Sequence, residues 1–155
     1  MMDYFNRYRS GRKQEKSQTV ELDENGMAKY TPKFITGLAE DEVFVFGSNL
    51  AGMHGGGAAA TAHRCFGAVW GKGAGLYGQS YAIPTMQGGV ETIKPYVDDF
   101  IAFAQEHSEL RFLVTRVGCG IAGFKDEDIA PLFVGALNQE NIVLPYEFHK
   151  VLGKL

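Results

Sequence analysis

The sequence predicts one α/β domain with a mixed central sheet that is covered by helices on both faces, a three-layer α/β/α arrangement. Short, continuous apolar runs alternate with segments of helical periodicity. The chain has 155 residues and is 45% hydrophobic, which suits one buried core and is too short for two ordinary domains. Parallel neighbouring strands need crossover connections, and the helical segments between the apolar runs can supply them.

Apolar runs without polar alternation are typical of strands buried on both faces. Such runs predict strands over Val43–Phe46, Tyr81–Ile83 and Phe112–Val114, and a further strand over Ile142–Leu144. In α/β sheets, ligands bind at the carboxyl ends of the strands. We therefore expect the functional residues in the loops that follow the first three strands.

Three segments have the apolar spacing of helices. Helices are predicted over Gly57–Phe66, with its stop at Gly67, and over Thr92–His107. A last helix is expected to start near Asp126–Asp128 with Pro131 in its first turn, where a missing N–H costs little. Its apolar positions are Ile129, Leu132, Phe133, Ala136 and Leu137.

The charge is distributed unevenly along the chain. Residues 1–16 carry five basic and two acidic side chains, although the whole chain has a net charge of −3. This arm is either a solvated terminus or a segment that meets an acidic partner. A turn signal at Asp23–Gly26 predicts a small hairpin within Gln18–Tyr30, so we expect residues 1–30 to form the arm and hairpin and residues 31–155 to form the domain.

Composition argues against several classes of function. The net negative charge and the pI near 5.8 argue against binding DNA or RNA mainly through phosphates. Only two cysteines are present, without metal-ligand spacing, so we expect no disulfide framework and no zinc site. We also expect no cofactor. The N-terminus lacks the apolar stretch of about 7–15 residues found in secretory signals, and no run of about 18 apolar residues occurs, so we expect a cytoplasmic protein without a membrane span.

Two glycine-rich loops follow predicted strands and lead into predicted helices. The first covers residues 47–57, and the second, Gly118–Phe124, contains Gly-x-Gly-x-x-Gly. Glycines let the backbone approach a ligand closely, and a helix N-terminus attracts an anion. Each loop alone could be a plain tight turn, but the two together can hold one diphosphate from opposite sides.

The sequence resembles the macrodomain superfamily over residues 35–144, near a bacterial branch of terminal ADP-ribose glycohydrolases. The resemblance is carried by Val-Phe-Gly-Ser-Asn at 45–49, the glycine-rich helix entry at 55–59, Tyr-Ala-Ile-Pro-Thr at 81–85, and above all Thr-Arg-Val-Gly-Cys-Gly-Ile-Ala-Gly-Phe at 115–124. It implies that the ligand is ADP-ribose or a related nucleotide, free or attached to a macromolecule. The residues expected to bind it are Gly47, Ser48, Asn49, Gly55, Gly56, Gly57, Thr85, Gly118, Cys119, Gly120, Ile121, Ala122, Gly123 and Phe124.

The resemblance also assigns individual roles. Asn49 would face the ribose beside the second phosphate, and Phe124 would pack on the distal ribose. Glycohydrolases of that branch use a lysine and an aspartate at the places where this chain has Met86 and Ala122. Neither side chain can form a Schiff base or transfer a proton, so lysine-type hydrolysis is not expected.

The remaining polar residues leave alternatives open. Asn49 and His54 are the candidates for catalysis on a ribose, although a histidine in a glycine loop is more often a hydrogen-bonding residue. Cys119 is expected to be a small buried filler rather than a nucleophile. The segment Gly71–Gly75, flanked by Trp70, Tyr77 and Gln79, either covers an adenine ring or is an ordinary surface loop.

Three functions fit these observations. The first is a reader of ADP-ribose or a related nucleotide. The second is a hydrolase of ADP-ribosyl adducts that acts through Asn49, His54 and a water molecule. The third is a Rossmann-like module of the lysine-decarboxylase-like type, in which an acidic residue would be expected beside the second loop, whereas Ala122 and Phe124 flank Gly123 here.

Overall fold

The computed structural model describes residues 20–153, and the basic arm at residues 1–16 lies outside that range. The described chain forms a mixed sheet of five strands with four α-helices and one 3-10 helix, which confirms the predicted α/β class. In chain order the elements are β1 Glu42–Ser48, α1 Gly57–Cys65, β2 Gly75–Tyr77, β3 Ser80–Pro84, α2 Val90–Gln105, β4 Arg111–Val114, α3 Asp126–Ile129, the 3-10 helix Ala130–Ala136, β5 Ile142–Val143 and α4 Tyr146–Leu152.

The sheet has the strand order β2-β3-β1-β4-β5. β1 is parallel to both β3 and β4, β4 is parallel to β5, and only β2 is antiparallel to its neighbour. After β1 the chain moves to β3 on one side and then to β4 on the other. The loops that follow β1 and β4 therefore diverge at one edge of the sheet and leave a crevice between them.

Helices pack on both faces of the sheet. Along β1, Val43 and Val45 belong to one buried cluster, and Phe44 and Phe46 belong to a second. The first cluster contains the buried residues of α2, of the 3-10 helix and of α4, whereas the second contains those of α1. Because successive strand side chains point to opposite faces, α1 covers one face of the sheet and α2 the other.

Two predicted helices and all four predicted strands are present, but the last predicted helix is wrong in type. The α-helix that starts at Asp126 ends at Ile129 and continues as a 3-10 helix. Pro131 is thus beyond the first α-helical turn, where the missing N–H would break an i→i−4 bond and the ring would clash with the preceding turn. It stands instead at the start of the 3-10 helix.

The chain turns sharply at Asp23, whose Oδ1 accepts hydrogen bonds from the N–H groups of Asn25 and Met27. Leu22 and Ala28 form a single antiparallel bridge across this turn. Ala28 is buried in the second cluster, on the face of the sheet that α1 covers, and its carbonyl accepts a hydrogen bond from Arg111. The packed part of the chain therefore extends before residue 31, the expected start of the domain.

Within residues 20–153, no helix is long and apolar enough to cross a membrane. The same range contains no group of three His, Cys, Asp or Glu side chains that could hold a metal ion.

Candidate functional site

A cavity of about 310 Å³ lies at the carboxyl ends of β1, β3 and β4, between the two glycine-rich loops. Parallel strands bring these loops to the same edge of the sheet, as the sequence predicts. The cavity is lined by Gly47, Ser48, Asn49, Met53, Gly56, Gly57, Ala58, Ala59, Thr85, Met86, Thr115, Arg116, Gly118, Cys119, Gly120, Ile121 and Ala122.

The first loop is held in shape by Asn49. Its Oδ1 accepts a hydrogen bond from the Met53 N–H at 2.9 Å, and its Nδ2 donates to the Met53 carbonyl at 3.0 Å. Both polar atoms of the side chain are thus used within the loop. Asn49 lines the cavity, and the two hydrogen bonds of its side-chain amide to the Met53 backbone close the turn at residues 49–53.

The first loop also rests on the segment after Trp70. The Ser48 hydroxyl donates a hydrogen bond to the Gly73 carbonyl, and the Gly71 N–H donates to the Gly52 carbonyl at 2.9 Å. A Cβ at Gly73 would overlap the backbone of Asn49 and Leu50. The glycines of this third segment allow two backbones to touch, so the segment supports the first loop from outside the cavity.

The start of α1 presents backbone donors to the cavity. Gly56 is the N-cap, and no side chain caps the helix. Among residues 20–153, no group accepts a hydrogen bond from the N–H of Gly57, Ala58 or Ala59. The first turn of a nine-residue helix thus has unsatisfied donors on the cavity wall, where an anion is favoured.

The second loop presents a similar row of donors. Gly118 and Gly123 have φ of 78° and 82°, in the left-handed region that favours glycine. The Phe124 N–H donates to the Gly118 carbonyl and closes the loop at 2.9 Å. In the described part of the chain, the N–H groups of residues 120–122 have no acceptor, and all three residues line the cavity. Successive free N–H groups of this kind form anion-binding concavities.

Within the described part of the chain, Arg116 is the only charged residue that lines the cavity. Its guanidinium donates two hydrogen bonds to the Asp126 carboxylate, from Nε at 3.0 Å and from Nη2 at 2.8 Å. Its positive charge is therefore balanced at the edge of the cavity. The sequence reasoning missed Arg116, although its position two residues before the second glycine loop was a usable signal.

Cys119 lies on the cavity wall with its thiol protonated. Burial, together with the negative charge of Asp126, raises the pKa of the Cys119 thiol to about 12. A protonated thiol is a poor nucleophile. Cys119 is only partly buried, and its expected role as a small buried filler stays a prediction.

Four predicted site residues do not line the cavity: His54, Gly55, Gly123 and Phe124. His54 is 2% exposed, and its Nε2 lies 2.9 Å from the Val69 carbonyl oxygen. Its ring packs edge-on against Phe46 and Trp70. Phe124 packs against Gly118 and against the first buried cluster, on the face of the sheet that α2 covers. His54 and Phe124 therefore do not border the cavity that Asn49 lines.

Trp70, Tyr77 and Gln79 also lie outside the cavity lining. Tyr77 belongs to the edge strand β2, and the Gln79 side chain donates hydrogen bonds to the carbonyls of Ala39 and Glu42. These contacts hold Tyr77 and Gln79 in the fold, and the alternative that the segment Gly71–Gly75 covers an adenine ring stays a prediction. By contrast, both Met86 and Ala122, the two positions for which the sequence resemblance implies a lysine and an aspartate in glycohydrolases, line the cavity.

Comparisons of this chain with protein-family models, with curated proteins and with solved structures found no match.

Proposed function

We propose that this chain binds ADP-ribose or a related nucleotide by its diphosphate, in the cavity between the two glycine-rich loops of a three-layer, macrodomain-like fold. The observation that carries the proposal is the convergence of free backbone donors. The N–H groups of residues 57–59 and of residues 120–122 belong to opposite loops, lack described acceptors and border one cavity.

The chemistry of these donors favours a phosphate ester. A hydrogen bond from a backbone N–H to a charged group contributes about 1.5–3 kcal/mol, so an anion that accepts from several of these donors gains substantially. The α1 N-terminus adds a partial positive charge on the same wall. Two rows of donors on opposite walls suit an anion with oxygens on two sides, as a diphosphate has.

The cavity is better suited to binding than to hydrolysis. Among residues 20–153, no Asp, Glu, His or Lys lines the cavity. The amide of Asn49 is engaged with Met53, and His54 is buried against Phe46 outside the lining. A hydrolase would need a group that takes a proton from water, and the described lining residues offer no Asp, Glu, His or Lys for this task. We therefore prefer a reader of the nucleotide to the alternative hydrolase.

Calorimetric titration with ADP-ribose and with adenosine tests this proposal. We expect measurable binding of ADP-ribose and binding of adenosine weaker by about tenfold or more, since adenosine lacks the groups that accept from the loops. Equal affinities would refute the diphosphate assignment. Incubation with an ADP-ribosylated protein separates the two functions, because a hydrolase would release ADP-ribose with time and a reader would not.

A further inference from the structure

A second cavity of about 310 Å³ lies beside the cavity of the proposed function, at the carboxyl ends of β4 and β5. Thr115 and Arg116, which follow β4, line both cavities. Pro32 and Pro145 also line the second cavity, and both are buried, so they add apolar surface to its wall. Small-molecule sites commonly have volumes of about 300–1,000 Å³, which leaves room here for one part of a nucleotide. A ligand whose diphosphate lies between the two glycine-rich loops can extend past Arg116 into the second cavity.

The second cavity has two charged residues of opposite sign that do not pair. Lys33 and Glu147 both line it. Among residues 20–153, neither the Lys33 ammonium nor the Glu147 carboxylate takes part in a hydrogen bond or an ion pair. The wall of the cavity therefore holds an unpaired donor and an unpaired acceptor. A ligand group with donors on one side and an acceptor on the other would pair both charges.

The other polar side chains of this cavity are used within the fold. The Thr31 hydroxyl donates to a backbone carbonyl of β5 at 3.0 Å, and the Thr115 hydroxyl donates to a backbone carbonyl of β1 at 2.7 Å. Arg116 donates two hydrogen bonds to Asp126. These hydrogen bonds raise the pKa of Arg116, and the charge of Glu147 adds to that effect without an ion pair. The ammonium and the carboxylate are thus the groups left to read a ligand.

The hydrogen-bonding capacity of a carboxylate distinguishes among the nucleobases. A carboxylate can accept two parallel hydrogen bonds, and bases are read by hydrogen bonds to their Watson–Crick edges. On that edge guanine has two adjacent donors, N1–H and N2–H, with the acceptor O6 beside them. Adenine, cytosine and uracil each have one donor group there. Guanine is therefore the common base that satisfies a carboxylate twice and an ammonium once.

We propose that the second cavity binds the nucleobase of the ligand and selects guanine. Glu147 accepts from N1–H and N2–H, Lys33 donates to O6, and Pro32 and Pro145 supply apolar surface to the ring. This inference rests on the proposed function and specifies the base of its nucleotide. The preferred ligand is then a guanosine diphosphate derivative, and ADP-ribose binds as a weaker relative.

GDP, IDP and ADP are the probes, because they share the ribose and the diphosphate and differ only in the base. Calorimetric titration measures the three affinities on the same protein. We expect GDP to bind about tenfold or more tightly than ADP, the discrimination typical of one bidentate contact to a base. IDP lacks the N2 amine but keeps N1–H and O6, so its affinity should lie between the other two.

Two variants assign the preference to the unpaired charges. Glu147→Gln keeps the size of the side chain but removes its charge and one of its two acceptors, so the ratio of the ADP Kd to the GDP Kd should fall towards one. Lys33→Met removes the donor to O6 and should also lower this ratio. Lys33 is exposed, so its variant keeps the test available if Glu147→Gln has a lowered urea midpoint.

Glu127→Gln is the matched control. Glu127 is exposed on α3 and lines neither cavity, so the variant removes one negative charge without touching the base. The ratio of the two dissociation constants should stay at the wild-type value. An equal fall of the ratio in Glu127→Gln and Glu147→Gln would assign the effect to net charge and overturn the inference.

The outcomes separate this inference from the proposed function. Equal binding of GDP and ADP, or tighter binding of ADP, would overturn the selection of guanine and leave the diphosphate assignment standing. A preference for GDP that both Glu147→Gln and Lys33→Met leave unchanged would overturn the placement of the base in the second cavity. Failure of all three nucleotides to bind would overturn the two proposals together.

Discussion

Arg116 and Asp126 form a paired contact beside the cavity, with two hydrogen bonds of 3.0 Å and 2.8 Å between guanidinium and carboxylate. The carboxylate thus neutralises the one charged side chain that lines the cavity among residues 20–153. If the cavity binds a diphosphate as we propose, the binding depends on neutral backbone donors. We expect the affinity for a diphosphate to vary only weakly with salt concentration.

Asp126→Asn removes the balancing charge and should strengthen diphosphate binding. The freed Arg116 guanidinium would attract the ligand, which we expect to raise ADP affinity about twofold to fivefold at low salt and to make it more salt-dependent. Titrations at two salt concentrations measure both effects. Asp98→Asn is the control, because Asp98 pairs with Lys94 on the exposed side of α2. Unchanged affinity in Asp126→Asn would show that Arg116 does not reach the ligand.

Gly120→Glu should abolish ADP-ribose binding without unfolding the domain. Like charges about 4 Å apart repel by about 4 kcal/mol at an effective dielectric constant near 20, so we expect affinity to fall by about 100-fold or more. The fold should tolerate the change, because nothing lies within 4 Å of a Cβ at Gly120 and its φ is not positive.

Gly37→Glu is the matched control for that variant. Gly37 also has open space around a Cβ and no positive φ, but it does not line the cavity. Both variants should unfold at nearly the wild-type urea midpoint, and only Gly120→Glu should lose binding. Normal affinity in Gly120→Glu would place the phosphates elsewhere.

The sequence predicted the sheet core and the meeting of the two glycine loops, because both follow from local patterns. Continuous apolar runs identify buried strands, and parallel strands bring the following loops to one edge. The short antiparallel strand β2 was missed. Its residues Gly75–Tyr77 are half-buried at the sheet edge and lack an apolar run, although Gly78, with φ of 59°, marks the hairpin turn.

The direction of individual side chains could not be predicted in the same way. Asn49 and His54 both follow β1 and are polar, yet Asn49 closes the turn on Met53 while His54 enters the core beside Phe46. These outcomes depend on contacts with residues 69–73, which sequence spacing does not reveal. Helix α4 was missed because its buried residues Phe148 and Leu152 span only two turns.

The domain should lose stability in alkali. Burial and the charge of Asp126 raise the pKa of the Cys119 thiol from 9.0 to about 12, and burial with the charge of Asp99 raises the pKa of the Tyr81 hydroxyl from 10.0 to about 12. At pH values between the ordinary and the raised pKa of each group, Cys119 and Tyr81 keep their protons in the folded state and lose them in the unfolded chain. The contribution is fully present below pH 9, and the free energy of unfolding should fall as pH rises from 9 towards 12.

Urea unfolding at pH values from 8 to about 11 measures this loss. Cys119→Ala and Tyr81→Phe remove the titrating groups, so each should make the free energy of unfolding less dependent on pH in that window. Cys65→Ala is the control, because Cys65 is exposed. An equal pH dependence in the wild type and in the Cys119 and Tyr81 variants would assign the alkaline loss to other groups.

The last prediction concerns catalysis at Met86 and Ala122. Both residues line the cavity, and the sequence resemblance implies a lysine and an aspartate at these positions in glycohydrolases. The wild-type chain should therefore release little ADP-ribose from modified substrates by a lysine-type route, since neither side chain offers a nucleophile or a proton-transfer group. Met86→Lys with Ala122→Asp supplies both groups. We expect a measurable gain in ADP-ribose release from the double variant and little from either single variant, because the two groups act as a pair.

Exposure of Met86 leaves room for the longer lysine side chain, but a group about 1 Å from its productive position can still fail. Reductive trapping of a Schiff base in the double variant therefore gives a second readout that does not require turnover. Leu137→Lys is the control for a new surface lysine, because Leu137 is exposed and lies outside the cavity lining. Rapid release by the unmodified chain would contradict the reader proposal. Loss of that release in Asn49→Ala would place the chemistry in the first loop.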